Sequence, residues 1–188
     1  MSDERTRRWR WPLERRVHPI PESPSQGAFG AIRRHDVHTG VDLYGDVDDE
    51  VLAVEDGVVV AVEDFTGARA GSPWWLDTQA VLVEGPSGVV LYGELEPAVR
   101  VGDVVREGDL IGRLRTVLRH DKGLPMTMLH LELYAPRTRA SMWWHHGEAR
   151  PDNLLDPTPS LREAWREATR ASIDAPSSSV AGAVEPKT

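Results

Sequence analysis

The 188-residue chain has no cysteine. That excludes disulfide bonds and thiolate metal sites, so a bound metal has to be held by His, Asp or Glu side chains. Aromatic residues are sparse at 6 %, and seven of them are tryptophans. Lysine is nearly absent, with Lys122 and Lys187 alone among the 22 basic residues. Acidic side chains exceed basic ones by 30 to 22, for a net charge of -8, which argues against a protein that binds nucleic acid by neutralising phosphates. No long apolar run is present either, and none follows the N-terminal arginines. The expectation is therefore no membrane span and no signal peptide, and a cytoplasmic protein unless a non-classical or lytic route exports it.

At 40 % hydrophobic content the chain can bury one substantial core. Residues 1–26 mix Arg5, Arg7, Arg8, Arg10, Arg15 and Arg16 with Trp9, Trp11 and several prolines. They read as an extended arm, either solvated or touching an anionic surface, with folded structure expected from Gly27. Val51–Val54 and Val58–Glu63 flank Glu55-Asp56-Gly57 and read as a hairpin. Gln79–Glu84 and Gly88–Leu95 read as a second, across Gly85-Pro86-Ser87-Gly88. The connection between the hairpins carries Trp74 and Trp75, as a lid or wall for a substrate or as a cap on the core. Residues 99–114 alternate short apolar pieces with Gly-Asp turns, and Leu129-His130-Leu131-Glu132-Leu133 has the period of a strand with one buried face. The expected fold is all-β and antiparallel. A helix over 158–171 follows Asp156-Pro157, with Leu161, Ala164, Trp165 and Ala168 on one stripe, and 172–188 is expected to be a disordered tail.

Two stretches carry candidate chemistry. His38-Thr39-Gly40-Val41-Asp42 sets an imidazole and a carboxylate four apart; in a straight strand they would lie about 13 Å from each other, so sharing an ion needs a bend at Thr39-Gly40. A polar turn ahead of the first hairpin is the plainer alternative. His130 shares a strand face with Met128 and Glu132, away from the leucines, and a lone histidine there is also compatible with an ordinary hydrogen-bonded role.

Together these stretches resemble the lysostaphin and LytM type of zinc metallopeptidases, which cut peptide bonds in bacterial peptidoglycan. The resemblance spans residues 27–157. It rests on Phe29-Gly30 with Arg33, His38-Thr39-Gly40-Val41-Asp42-Leu43, Ala53–Val59, Val101–Gly112, Leu129-His130-Leu131-Glu132, and Asn153–Thr158. It implies a barrel-sandwich metallopeptidase core, one zinc ion held by His38, Asp42 and His130 with water in the fourth place, and a peptide or peptidoglycan substrate. Three protein ligands and one open position also suit zinc hydrolysis.

The chain departs from the family at two points. Met128 stands where a His-x-His motif has its first histidine, and Glu94, in Tyr92-Gly93-Glu94-Leu95, stands where Tyr-x-His-Leu has its histidine. On the hydrolytic reading Glu94 is the general base and Tyr92, His120 or Lys122 polarises the scissile carbonyl, with Trp74, Trp75 and Lys122 near the substrate. On the other reading the chain is an inactive zinc module that binds peptide or glycopeptide. His145 and His146 diverge in an extended chain and are left as rim residues. The Gly-Asp repeats also evoke biotin and lipoate carriers, but no lysine lies at a hairpin tip.

Overall fold

The computed structural model describes residues 8–174 apart from Lys122 and Leu124. Nine strands and one helix follow in order: β1 Val41–Tyr44, β2 Glu50–Leu52, β3 Gly57–Thr66, β4 Thr78–Gly85, β5 Gly88–Pro97, β6 Val104–Val105, β7 Leu110–Leu114, β8 Met128–Tyr134, β9 Leu154–Leu155 and α1 Thr158–Asp174. All pairings are antiparallel, in the order β1-β8-β5-β4-β3-β6, with β7 joining β2 and β5, and β9 joining β8. The all-β reading with one C-terminal helix holds. Among the described residues no helix is long and apolar enough to cross a membrane.

The β4–β5 hairpin forms as expected, closing with Gly85 opposite Gly88. The first expected hairpin does not form, because β2 pairs with β7 while β3 pairs with β4 and β6. Glu55 explains why. Its carboxylate is buried and accepts from the Ser87 N–H at 3.0 Å and the Ser87 hydroxyl at 2.6 Å. Asp56 accepts from the Glu107 N–H at 2.7 Å. Both side chains are held by other parts of the chain, so Glu55-Asp56-Gly57 passes between two strand pairs instead of turning back.

β8 is buried along its whole length, on both faces rather than one. Leu129, Leu131 and Leu133 join the main core with Val41, Leu43, Val81, Tyr92 and Leu95. On the opposite face a second apolar cluster gathers Ala80, Leu82, Val89, Leu91, Tyr134 and Leu154, with Phe65 and Trp144 against it. His130 and Glu132 share that second face, and so lie in the protein interior.

The largest departure is at the N-terminus. Trp9, Trp11 and Leu13 are buried in the main core. The segment adds backbone bonds from Arg10 N–H to Val54 O and from Leu52 N–H to Pro12 O, both 2.8 Å, and Leu13 bridges to Val51. Trp9 Nε1 donates to the Ser87 hydroxyl at 2.8 Å. Residues 9–13 are therefore packed into the core and are not a solvated arm. The apolar residues at 9, 11 and 13 alternate with Arg10 and Pro12, a strand period partly hidden by the arginines around it. Burying two indoles stabilises by several kcal/mol, at about 25 cal/mol per Å².

Helix α1 docks on that segment. Leu161 and Ala164 are buried, Trp165 and Ala168 pack against the core, and Trp11 meets Trp165 edge-on at 4.9 Å. Asp156 accepts from the Thr158 N–H at 2.8 Å and so satisfies one free donor of the first turn. The helix extends to Asp174, three residues beyond its expected end, and the rest of the expected tail lies outside the described residues.

Candidate metal centre and its pocket

The chain folds so that β1 and β8 are neighbours, with Asp42 directly opposite His130. The bend expected at Thr39-Gly40 brings His38 to the same point. Glycine is needed there: a Cβ on Gly40 would lie 2.5 Å from Leu131 O and 2.9 Å from His130 Nε2. His38 Nε2 lies 3.1 Å from Asp42 Oδ1 and 3.1 Å from His130 Nδ1, and His130 Nδ1 lies 2.9 Å from Asp42 Oδ1. These three buried side chains form the group of potential ligands found among the described residues.

Donor type and spacing both fit a small divalent cation. Ligand atoms placed tetrahedrally at about 2.0–2.1 Å from zinc lie about 3.3 Å apart, slightly wider than the triangle observed. The outward nitrogens are also committed. His38 Nδ1 faces only the Ala28 carbonyl, at 2.9 Å, so it carries the proton and leaves Nε2 as the free lone pair. His130 Nε2 donates to Glu132 Oε1 at 3.0 Å, which directs Nδ1 inward. Asp42 keeps Oδ1 inward while Oδ2 is paired with the Arg33 guanidinium, itself anchored on Gln26 O at 2.8 and 3.0 Å. A carbonyl or carboxylate behind each imidazole is the usual way that ligand rings are oriented.

Electrostatics match this geometry. Burial opposes charge on His130, but its bonds to Asp42 and Glu132 prevail and hold the imidazolium up to about 10. Burial works against the Asp42 carboxylate too, yet His38 and His130 carry it well below the ordinary range. For His38 burial wins, and its pKa is lowered. In the metal-free protein the charge that neutralises Asp42 is therefore carried by His130 and Arg33.

Glu94 occupies the other side of the pocket. Strand β5 pairs with β8 through Gly93 and with β7 from Leu95 onward, so Glu94 sits where the strand changes partner. It also lies in a bulge, with Ala80 alone opposing Gly93 and Glu94. Its φ of 67° is left-handed, a conformation that costs a non-glycine residue about 1–3 kcal/mol. The bulge restores Leu95 to the main core and turns Glu94 toward the metal centre. The carboxylate is buried, and Oε2 has no hydrogen-bond partner among the described residues. Burial, and next the charge of Asp42, raise its pKa to about 8.

The pocket above these groups is lined by His38, His130, Glu94 and Glu132 and walled by Phe65, Trp75, Trp143 and Trp144. Phe65 lies 5.3 Å from the His130 ring, beneath Gly93, where a Cβ would come within 2.6 Å of it. Trp75 is thus a wall residue, whereas Trp74 is 62 % exposed and does not line the pocket. Tyr92 is the clear correction among the expected catalytic residues. It is fully buried in the main core, where its hydroxyl accepts from the Val54 N–H at 2.9 Å, since the β5 pleat directs it to the opposite face. His120 is exposed on the loop before β8 and does not line the pocket, and Lys122 is outside the described residues. Met128 is buried opposite Tyr44.

Sequence reasoning missed Glu132, Arg33 as the partner of Asp42, and the Trp143-Trp144 wall. Glu132 was signalled by its place two residues after His130 on the same strand face. Nothing local signalled the wall, which reaches the site through a long-range bond from the Val37 N–H to Trp144 O, 2.8 Å.

A comparison with curated proteins finds no match. Solved structures do show similarity. The crystal structure of cbpa from L. salivarius REN is similar with a TM-score of 0.55 and 20 % identity, over 86 % of this chain and 99 % of that one. The solution structure of lysostaphin gives 0.49 and 20 %, over 80 % and 51 %, so the chain spans about half of lysostaphin's length. A zinc containing peptidase from Vibrio cholerae gives 0.45 and 19 %, over 66 % and 36 %. At such identities the likeness to cbpa shows a shared fold. The model of peptidase family M23 matches residues 36–141, more than half of the chain and a span that contains all three candidate ligands together with Glu94. The chain belongs to peptidase family M23.

Proposed function

We propose that this protein is a zinc-dependent metallo-endopeptidase that cuts a peptide bond in peptidoglycan or a similar peptide, with Glu94 as its general base. The observation that carries the reading is Glu94 itself, a buried carboxylate with Oε2 unpartnered, on strained backbone, sharing one pocket with His38 and His130. Strain and unpaired polar atoms of this kind cost stability and concentrate where chemistry is done.

His38, Asp42 and His130 would hold the zinc, which when bound supplies Lewis acidity. Ala28, Glu132 and Arg33 keep the three ligands oriented. Glu94 Oε2 takes the proton from the attacking water and returns it to the leaving amine. For that it has to be ionised, and a cation beside Asp42 removes part of the repulsion that raises its pKa. The aromatic walls exclude water and hold the peptide extended.

A second reading, a zinc module that binds peptide or glycopeptide without cutting it, is favoured by Met128. An apolar side chain where the family pattern has a histidine leaves the scissile carbonyl short of a donor, which commonly costs about 10²–10³ in rate. Elemental analysis for zinc, followed by cleavage assays on glycine-rich and stem-peptide substrates, separates the two. The peptidase reading expects one zinc per chain and turnover that Glu94→Gln removes with zinc retained. Stoichiometric zinc with no cleavage by the native chain establishes the second reading.

A further inference from the structure

Behind the ligands a chain of hydrogen bonds leads out of the metal centre. Glu132 Oε1 accepts from His130 Nε2 at 3.0 Å, and its Oε2 accepts from the Tyr134 hydroxyl at 2.7 Å. The Tyr134 oxygen in turn accepts from the Met142 N–H at 3.0 Å. Met142 belongs to the 141–144 segment that carries Trp143 and Trp144 to the pocket. Every atom in this relay is used in the only sense open to it. The carboxylate can only accept, and the hydroxyl donates its single proton to Glu132 while offering a lone pair to Met142. Tyr134 and Glu132 are both buried, so the bond between them is not replaced by water when broken.

We infer that Tyr134 is a positioning residue that seats the aromatic wall of the pocket on the metal ligand His130, so that metal occupancy and the placement of the wall are coupled. This rests on the reading of His38, Asp42 and His130 as a metal site. A cation at the ligands fixes the His130 ring and thereby Glu132, and Glu132 fixes the Tyr134 hydroxyl under Met142. The segment's backbone has two other hydrogen bonds to the rest of the fold: Ser141 N–H donates to Glu63 Oε1 at 3.0 Å, and Val37 N–H donates to Trp144 O. The first does not pass through Glu132 or His130, so it serves as an internal control.

The test is amide hydrogen exchange at residues 141–144 in the full chain, stripped of metal and then loaded with zinc alone. In the native protein zinc slows exchange at Met142 by about fivefold or more. In Tyr134→Phe, Met142 exchanges fast in both states while zinc still binds with a stoichiometry of one. In Glu63→Gln, Ser141 exchanges faster but the zinc effect at Met142 persists. Equal Met142 exchange with and without zinc in the native chain overturns the inference without recourse to any variant. So does a zinc effect that survives Tyr134→Phe. Absence of stoichiometric zinc would sink the metal site and this inference with it, and it is told apart by elemental analysis. Peptide cleavage enters none of these readouts, so an inactive but metal-binding protein leaves the inference standing.

Discussion

The two sides of the pocket are built on opposite terms. On the ligand side, every polar atom of His38, Asp42 and His130 faces a partner, on backbone of ordinary conformation. Across from it, Glu94 is buried, lacks a partner at Oε2, and takes a left-handed φ. Each arrangement suits a different task. A preorganised and neutralised ligand set favours binding, whereas an unpaired carboxylate with a raised pKa stores free energy that only a proton transfer or a cation relieves.

The largest expected effect is on the ligand side. Replacing His130 or His38 by Ala leaves Asp42 with one imidazole, and metal affinity should fall well beyond the roughly 10–100-fold that loss of an outer partner costs. Isothermal titration with zinc measures this, and metal content unchanged in either variant would show that the ligands lie elsewhere. Glu94→Gln inverts the comparison: the metal stays while peptide turnover drops by about 10²–10⁴, the usual contribution of a general base. If turnover survives, Glu94 is a structural carboxylate. Glu132→Gln tests the support behind the ligands. An amide still accepts from His130 but loses its charge, so zinc affinity should fall by about 10–100-fold.

A smaller effect, graded with pH, tells the two sides apart in one experiment. His130, held up to about 10 by Asp42 and Glu132 against its burial, must give up a proton before it can ligate. Glu94, raised to about 8 mainly by burial, gives up a second when a cation arrives. Between pH 6 and 8 zinc affinity should therefore climb by up to about a hundredfold per pH unit, and by about tenfold in Glu94→Gln. The metal-free protein shows the converse. Both groups bind protons more tightly folded than unfolded, so its stability falls as pH rises, from about 4.5 through 8 for Glu94 and from about 6.5 through 10 for His130. Thermal melts in chelator with and without Glu94→Gln isolate the first window.

How much of this was legible in the sequence divides along the same line. The candidate ligand triad was readable because His38, Asp42 and His130 sit in short motifs that carry the family resemblance, and the fold brings the three together. The second hairpin and the helix were readable because their turns and stripes are local. What stayed hidden depends on long-range pairing. The false first hairpin had correct local chemistry and was overridden by the anchoring of Glu55 on Ser87. Trp9, Trp11 and Leu13 showed their alternation, but Trp165 of α1, against which Trp11 packs, lies some 150 residues later in the chain. Tyr92 was assigned to the site by motif, although its neighbours Leu91 and Gly93 mark it as facing the other core. That Glu94 does face the site depends on a one-residue bulge, which sequence periodicity does not announce.

The smallest expected effect follows from that bulge. Glu94→Gly removes the buried carboxylate and relieves the left-handed backbone in one change, since glycine adopts positive φ without penalty. If the strain and desolvation at Glu94 are retained for chemistry, this variant should be more stable than the native chain by about 1–3 kcal/mol while losing turnover. In a domain of this length that is a rise of several degrees in Tm. Glu94→Gln, which keeps the φ, should recover only the part due to charge. A Glu94→Gly variant no more stable than the native chain would mean that the carboxylate is supported by contacts as good as those of the ligands. The contrast between the two sides of the pocket would then lie in their chemistry alone, and not in stored strain.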